Sequence, residues 1–149
     1  MTSLVFRVLD AQVVGGLADE IAVSDGRGTM SYAQLLHESA SLAAGLRHMG
    51  IVAGTHVVID LPPGRDRVAA VLACARITAV PHTTGDFRLK GTPPVLHAPD
   101  TEVTWDVLIK AGRTEPASAP ESDPDGYDEM VRETYEDIFS TLAAGGTIT

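Results

Sequence analysis

The chain has 149 residues, enough for one domain with a sizeable core, and 44% of them are hydrophobic but only 5% aromatic. Its formal charge of −9 argues against nucleic acid or an anionic membrane as a partner. No run of about 18 apolar residues is present, and no cationic segment precedes an apolar block at the N-terminus. The expectation is a cytoplasmic protein with no membrane span, in which the lone Cys74 is a small buried hydrophobe.

In chain order, Leu4, Val5, Val8, Leu9 and Val13 give a short helix packed by one face and stopped by Gly15-Gly16. Ile21–Ser24 and Thr29–Ser31 flank Asp25-Gly26-Arg27-Gly28, a hairpin turn. Ser31 then caps a helix, with Gln34 three residues on completing a capping box and Met30 and Leu35 placed for a hydrophobic staple. Tyr32, Leu35, Leu36, Leu42, Ala43, Leu46 and Met49 recur at helical spacing, and Gly50 supplies the left-handed stop. Thr55–Leu61 is a short β-branched run suited to a parallel strand covered on both faces, and Pro62-Pro63-Gly64 ends it. Val68, Val71, Leu72 and Ala75 mark a second helix and Ile77–Pro81 a second strand, completing a βαβ unit. The core is expected to include Tyr32, Leu35, Leu46, Val57, Ile59, Val71 and Leu72.

Residues His82–Pro94 are too short and too rich in Gly and Pro for a helix. Val95-Leu96-His97 is expected as a third parallel strand, and Trp105–Ala111 as a short helix capped by Thr104. The organisation that results is an α/β domain over 1–112, a Pro-rich linker over 113–126, and an acidic amphipathic helix over 127–145. Asp125 or Asp123 is its expected cap, and Thr147-Ile148-Thr149 trails beyond it. Charge is uneven: residues 1–112 carry 11 acids against 9 Lys and Arg, and residues 113–149 carry 9 acids against 2 Arg.

Tyr32-x-x-Leu35, Leu42-Ala43-Ala44-Gly45-Leu46, Gly50-Ile51-x-x-Gly54-x-x-Val57 and Ala69–Pro81 together resemble the N-terminal region of the adenylate-forming superfamily. That group holds acyl-CoA synthetases, peptide-synthetase adenylation domains and luciferases. Ala22-Val23-Ser24-Asp25-Gly26 also fits its opening hairpin, and the likeness covers roughly the first 85 residues. It implies a fold that is part of the N-terminal subdomain of those enzymes: α/β, a small parallel or mixed sheet with flanking helices. It also implies an ancestor that made acyl-adenylates from a carboxylic acid and ATP.

The chemistry of that ancestor is not legible here. Its phosphate loop is rich in Ser, Thr and Gly and is followed by a Lys; the nearest match, Ala144–Thr149, reads as a helix stop with a frayed end. The Mg-binding Glu, the ribose-binding Asp and the mobile C-terminal domain have no counterpart, so the chain is expected to be truncated before the phosphate loop. His37, His48, His56, His82 and His97 lack metal-ligand spacing, Ser24 and Ser31 lack a nucleophile elbow, and Thr83-Thr84-Gly85 reads as a turn. His82 and His97 do follow or end strands, where open α/β sheets place ligands. No catalytic, cofactor-binding or metal residue and no cofactor is assigned. The expected role is non-catalytic, through a protein partner (an acyl-activating enzyme or carrier protein) or self-association through the tail helix. The alternatives are the N-terminal part of a split ligase and a small acyl- or nucleotide-binding module.

Overall fold

Two helices occupy the centre of the molecule. In this computed structural model, which describes residues 2–149, α1 (Tyr32–His48) is buried without interruption from Ser39 to Leu46, and α2 (Arg65–Ile77) from Val68 to Ile77. Small side chains make this possible: the two runs are Ser-Ala-Ser-Leu-Ala-Ala-Gly-Leu and Val-Ala-Ala-Val-Leu-Ala-Cys-Ala-Arg-Ile. With little side-chain bulk on either helix, neighbours close in from all sides.

The start of α1 is as the sequence predicts. The Gln34 N–H donates to Ser31 Oγ at 3.1 Å, and the Ser31 N–H to Gln34 Oε1 at 2.8 Å. Strands β1 (Ile21–Asp25) and β2 (Gly28–Ser31) form the expected antiparallel hairpin ahead of it. Gly50, at φ 91°, stops the helix. Strand β3 (His56–Asp60), α2 and β4 (Val80–Pro81) make the βαβ unit, with β3 and β4 parallel. The second strand is shorter than expected, because α2 continues through Ile77 and Thr78 turns the chain at φ 54°.

The larger sheet has the order β4-β3-β5-β6-β7, with β5 (Phe87–Lys90), β6 (Val95–His97) and β7 (Glu102–Thr104). It is mixed. The third parallel strand is Phe87–Lys90, in the stretch expected only not to be a helix, whereas Val95–His97, expected as that strand, runs antiparallel to both its neighbours. Residues 82–86 carry the chain directly across β3 in place of a crossover helix. A Cβ at Gly85 would lie 2.8 Å from the His56 carbonyl, so only glycine lets the loop pass this close.

Helix α3 (Trp105–Arg113), capped by Thr104, crosses α1 in backbone contact. A Cβ on Gly45 would sit 2.1 Å from the Leu108 carbonyl oxygen, and one on Gly112 would sit 1.8 Å from that of Ser41. The N-terminal segment consists of wide π-helical turns, Phe6–Asp10 and Val13–Leu17, and it breaks at Gly16, whose φ of 109° is non-helical, as the Gly15-Gly16 stop predicts.

Residues 113–126 form a strap over the core. Ala117 is buried and donates its N–H to the Ala40 carbonyl at 3.0 Å. Arg76, only 2% exposed, pairs with Asp10 at 2.5 Å and reaches the Ala117 carbonyl at 3.4 Å. Asp123 caps the N-terminal helix through the Leu4 N–H at 2.8 Å and does not cap the tail, which begins at Gly126 with no side-chain cap.

The tail is two helices, α4 (Tyr127–Thr134) and α5 (Glu136–Ala143), broken at Tyr135. Its apolar face docks within the chain, burying Tyr127, Val131, Ile138, Phe139 and Leu142, so that face is not left for a second molecule. The Tyr127 hydroxyl donates to the Ala79 carbonyl at 2.6 Å, beside the Cys74 carbonyl at 3.3 Å, and closes the C-terminal end of α2. The trailing residues are also tied down: Ile148 pairs in parallel with Val23. Of the expected core, Tyr32, Leu35, Leu46, Val57, Val71 and Leu72 are fully buried, whereas Ile59 is half-buried at a groove.

Gly45→Ala should lower stability by about 1–3 kcal/mol, because the added methyl group forces α1 and α3 apart. Gly15→Ala should be neutral or slightly stabilising, since that position has open space and an ordinary backbone. Urea unfolding of the two variants checks both. Removal of residues 114–149 should cost several kcal/mol without changing the oligomeric mass, because the buried tail covers its own core.

Candidate functional site

Open α/β sheets bind ligands beyond the carboxyl ends of their parallel strands. Here β3 ends at Asp60 and β4 at Pro81, and α4 lies across them to leave a groove of about 590 Å³. Val58, Ile59 and Pro81 line it from the strands, and Met130 and Tyr135 from the tail. Its polar groups are Asp60, His82 and Arg88, with the hydroxyls of Thr83, Thr134 and Tyr135. The carboxylate of Asp60 and the guanidinium of Arg88 stand 3.7 Å apart, both well exposed, a loose pair worth little in solvent. Arg67 stacks over the Tyr135 ring at 5.2 Å and pairs with Asp137 at 3.2 Å. Burial raises the Tyr135 hydroxyl pKa, so the group stays a neutral donor.

His82 is placed in this groove, but its ring is held. It stacks on His56 with centroids 4.3 Å apart and planes at 21°. Its Nδ1 lies 3.2 Å from the Thr84 N–H and 3.1 Å from the Thr84 carbonyl. Thr83-Thr84-Gly85 is therefore the crossing loop itself, organised around a histidine. His97 lies on β6, two strands from β3, and faces Glu102 at 3.1 Å. The structure does not bring the two strand-end histidines together. Among the described residues no group of three or more His, Cys, Asp or Glu is placed to hold a metal ion.

The remaining candidates have local roles. Ser31 caps α1, and the Ser24 N–H donates to the Ile148 carbonyl at 2.8 Å. Cys74 is fully enclosed, and burial pushes its thiol up to about 12, so it stays a protonated, unreactive group. The Gly-rich segment over 144–149 has most of its backbone donors committed. The N–H groups of Gly145, Gly146 and Ile148 go to the carbonyls of Leu142, Thr141 and Ala22. The Tyr32 hydroxyl holds the Gly146 carbonyl at 2.6 Å. The two lysines are distant from it in sequence: Lys90 is exposed on β5, and Lys110 pairs with Asp106 at 3.6 Å. Phosphate cradles need a run of free N–H groups beside a cation, and here the glycine N–H groups are bonded within the chain.

Two features escape the sequence reading. Arg88 reaches the groove because Phe-Arg-Leu-Lys alternates in the manner of a half-buried strand, a period-two signal inside a stretch punctuated by Gly and Pro. Asp25 is the second. It accepts from the Arg65 side chain and from its backbone N–H at 2.9 Å, joining the hairpin to the start of α2. Those bonds hold its carboxyl well below the usual carboxylate range.

A carboxylate with a depressed folded-state pKa contributes stability above its unfolded value and loses it as pH falls through the folded one. Asp25→Asn should therefore cost about 1–3 kcal/mol at pH 7, and the gap to the parent protein should close as pH drops below the ordinary carboxylate range towards the depressed folded-state value. Denaturant melts at several pH values measure it.

The described residues contain no helix long and apolar enough to cross a membrane. The family described as AMP-binding enzyme matches residues 10–90. An acetyl-coenzyme A synthetase of Deinococcus radiodurans is 39% identical over 84 residues, covering 53% of this chain and 13% of its own length. Acyl-CoA synthetase short-chain family member 3 of Mus musculus is 33% identical over 123 residues, covering 76% of this chain and 18% of its own. The chain thus spans less than a fifth of either relative. In fold, a benzoate CoA ligase from Burkholderia xenovorans LB400 superposes with a TM-score of 0.51 at 17% identity, over 56% of this chain and 17% of the ligase. The likeness is to the N-terminal subdomain of adenylate-forming enzymes, and the chain belongs to the AMP-binding enzyme family.

Proposed function

We propose that this chain is a non-catalytic relative of the AMP-dependent acyl-CoA synthetases that acts in the cytoplasm by binding a protein partner, an acyl-activating enzyme or a carrier protein. The supporting observation is the use made of the residues beyond the family match. From 91 onward they close the α/β unit on itself: α3 on α1, Tyr127 on the end of α2, and Ile148 on β1. The segment most like a phosphate loop is part of that closure, with the N–H groups of Gly145, Gly146 and Ile148 already bonded. That closure leaves an outer surface of the kind a binding protein uses. The 149 residues should give no ATP–pyrophosphate exchange above a no-protein control across fatty, aromatic and amino acids; exchange with any of them overturns the reading.

A second reading, a small acyl- or nucleotide-binding module, is favoured by the groove at the ends of β3 and β4. Calorimetric titration with ATP, AMP and a series of carboxylic acids separates the two. The partner-binding reading expects no saturable heat. Saturable binding that Arg88→Ala abolishes assigns the groove to a small ligand.

A further inference from the structure

The groove of about 590 Å³ beyond the ends of β3 and β4 holds a cation with open donors beside apolar surface. We infer that it takes the C-terminal end of a partner chain, with Arg88 holding the α-carboxylate and the apolar lining taking the last side chain. This rests on the partner-binding reading above and names the part of the partner that is recognised.

Arg88 differs from the other paired arginines. Arg7, Arg27, Arg65, Arg67, Arg76 and Arg132 each make a hydrogen bond to their carboxylate. Arg88 makes none: it stands 3.7 Å from Asp60 with 41% of its side chain exposed, so its guanidinium donors are open. A guanidinium in that state takes a carboxylate through two parallel bonds. Local charge also favours an anion. Lys90 lies two residues on, on the same face of β5 and in register with Asp60, and is in no ion pair among the described residues. Two cations thus stand against one carboxylate at this corner of a chain whose net charge is −9. The hydroxyls of Thr83 and Tyr135, on the same lining, make no hydrogen bond among the described residues and add two neutral donors.

Apolar surface remains open beside them, since Ile59, Met130 and Tyr135 are each only half-buried. The shape of the groove selects a chain end over a free small acid. Asp60, His82, Thr83 and Thr134 are exposed along it, which leaves one side open, whereas sites for small ligands enclose most of the ligand's surface. A chain end brings further residues to lie along the open side, and capture of a terminal carboxylate is a recurring mode of peptide recognition. The occupant is not the end of a second copy. The C-terminal residues of this chain are bonded to β1, the Ile148 N–H to the Ala22 carbonyl and the Ser24 N–H to the Ile148 carbonyl.

The test is fluorescence anisotropy of the full chain with a labelled peptide of about six residues, roughly 20 Å when extended, that ends in leucine. It is made with a free C-terminal carboxylate and as the C-terminal amide. The acid should bind saturably and the amide about tenfold or more weakly. Arg88→Gln should weaken the acid to the level of the amide and leave the amide unchanged, because both changes remove the same contact. Asp60→Asn removes the competing carboxylate and should tighten binding of the acid, a gain that misfolding cannot produce. Glu115→Gln, the same change of charge on the exposed strap, should not. Failure of the parent protein to bind the acid overturns the site, as does equal binding of acid and amide or an Arg88→Gln variant that weakens both alike. Equal gains from Asp60→Asn and Glu115→Gln mean attraction by net charge alone and overturn it too. Displacement of the peptide by an equal concentration of hexanoic acid gives the groove to a small ligand instead. Pyrophosphate exchange by the chain would refute its non-catalytic role without bearing on the peptide result, so the two failures are distinguishable.

Discussion

Everything peripheral in this protein depends on the absence of two Cβ atoms. At Gly45 and Gly112 the backbones of α1 and α3 touch, and each glycine faces a carbonyl of the other helix. That contact fixes where α3 ends, and the later contacts follow along the chain. The strap starts there, lays Ala117 on the Ala40 carbonyl, delivers Asp123 to the first turn of the N-terminal helix, and brings Tyr127 under the end of α2. A helix pair held apart by even one methyl group shifts the origin of each of these bonds. Close-packed interiors transmit such displacements instead of absorbing them.

Sequence reading succeeds where the determining forces are local. The capping box at Ser31 and Gln34, the Gly50 stop and the β3-α2-β4 unit are all encoded within a few residues of where they act. It fails where a residue's partner is remote. Asp123 has the look of a cap for the helix that follows it, yet the open N–H group that it meets belongs to Leu4. Phe87–Lys90 carries a strand alternation, but only the glycine-tight crossing over His56 explains how so short a loop reaches the far side of β3. Val95–His97 is correctly a strand and wrongly parallel, since its direction is set by that same crossing. Of the groove at the sheet ends, His82 is legible from its position after a strand and Arg88 only through the alternation of β5, whereas Tyr135 is not, because a bent tail brings it from about fifty residues away.

The division of charge follows the division of labour along the chain. Within the family-matched region the ion pairs are structural: Asp25 with Arg65, and Asp10 with the buried Arg76, each join elements far apart in sequence. In the tail, acids outnumber cations and several have no counter-ion among the described residues, so negative charge is concentrated on the surface laid down last. Burying the apolar side of α4 and α5 in the core necessarily turns their acidic side outward.

The pairing of Ile148 with Val23, together with the bonds from Leu4 to Asp123 and from Gln12 to Leu142, has a kinetic meaning. These contacts close loops nearly as long as the chain itself, whereas α1, the hairpin and the βαβ unit close short ones. Loop-closure entropy must be met before such distant contacts give anything back. The chain therefore collapses first around its two central helices and seals its circumference afterward. Through that interval the underside of α2 and one edge of the β1–β2 ribbon stand bare to water. The time for which the protein is adhesive to its neighbours is set by how fast its last thirty or so residues find their place, and not by how fast its core forms.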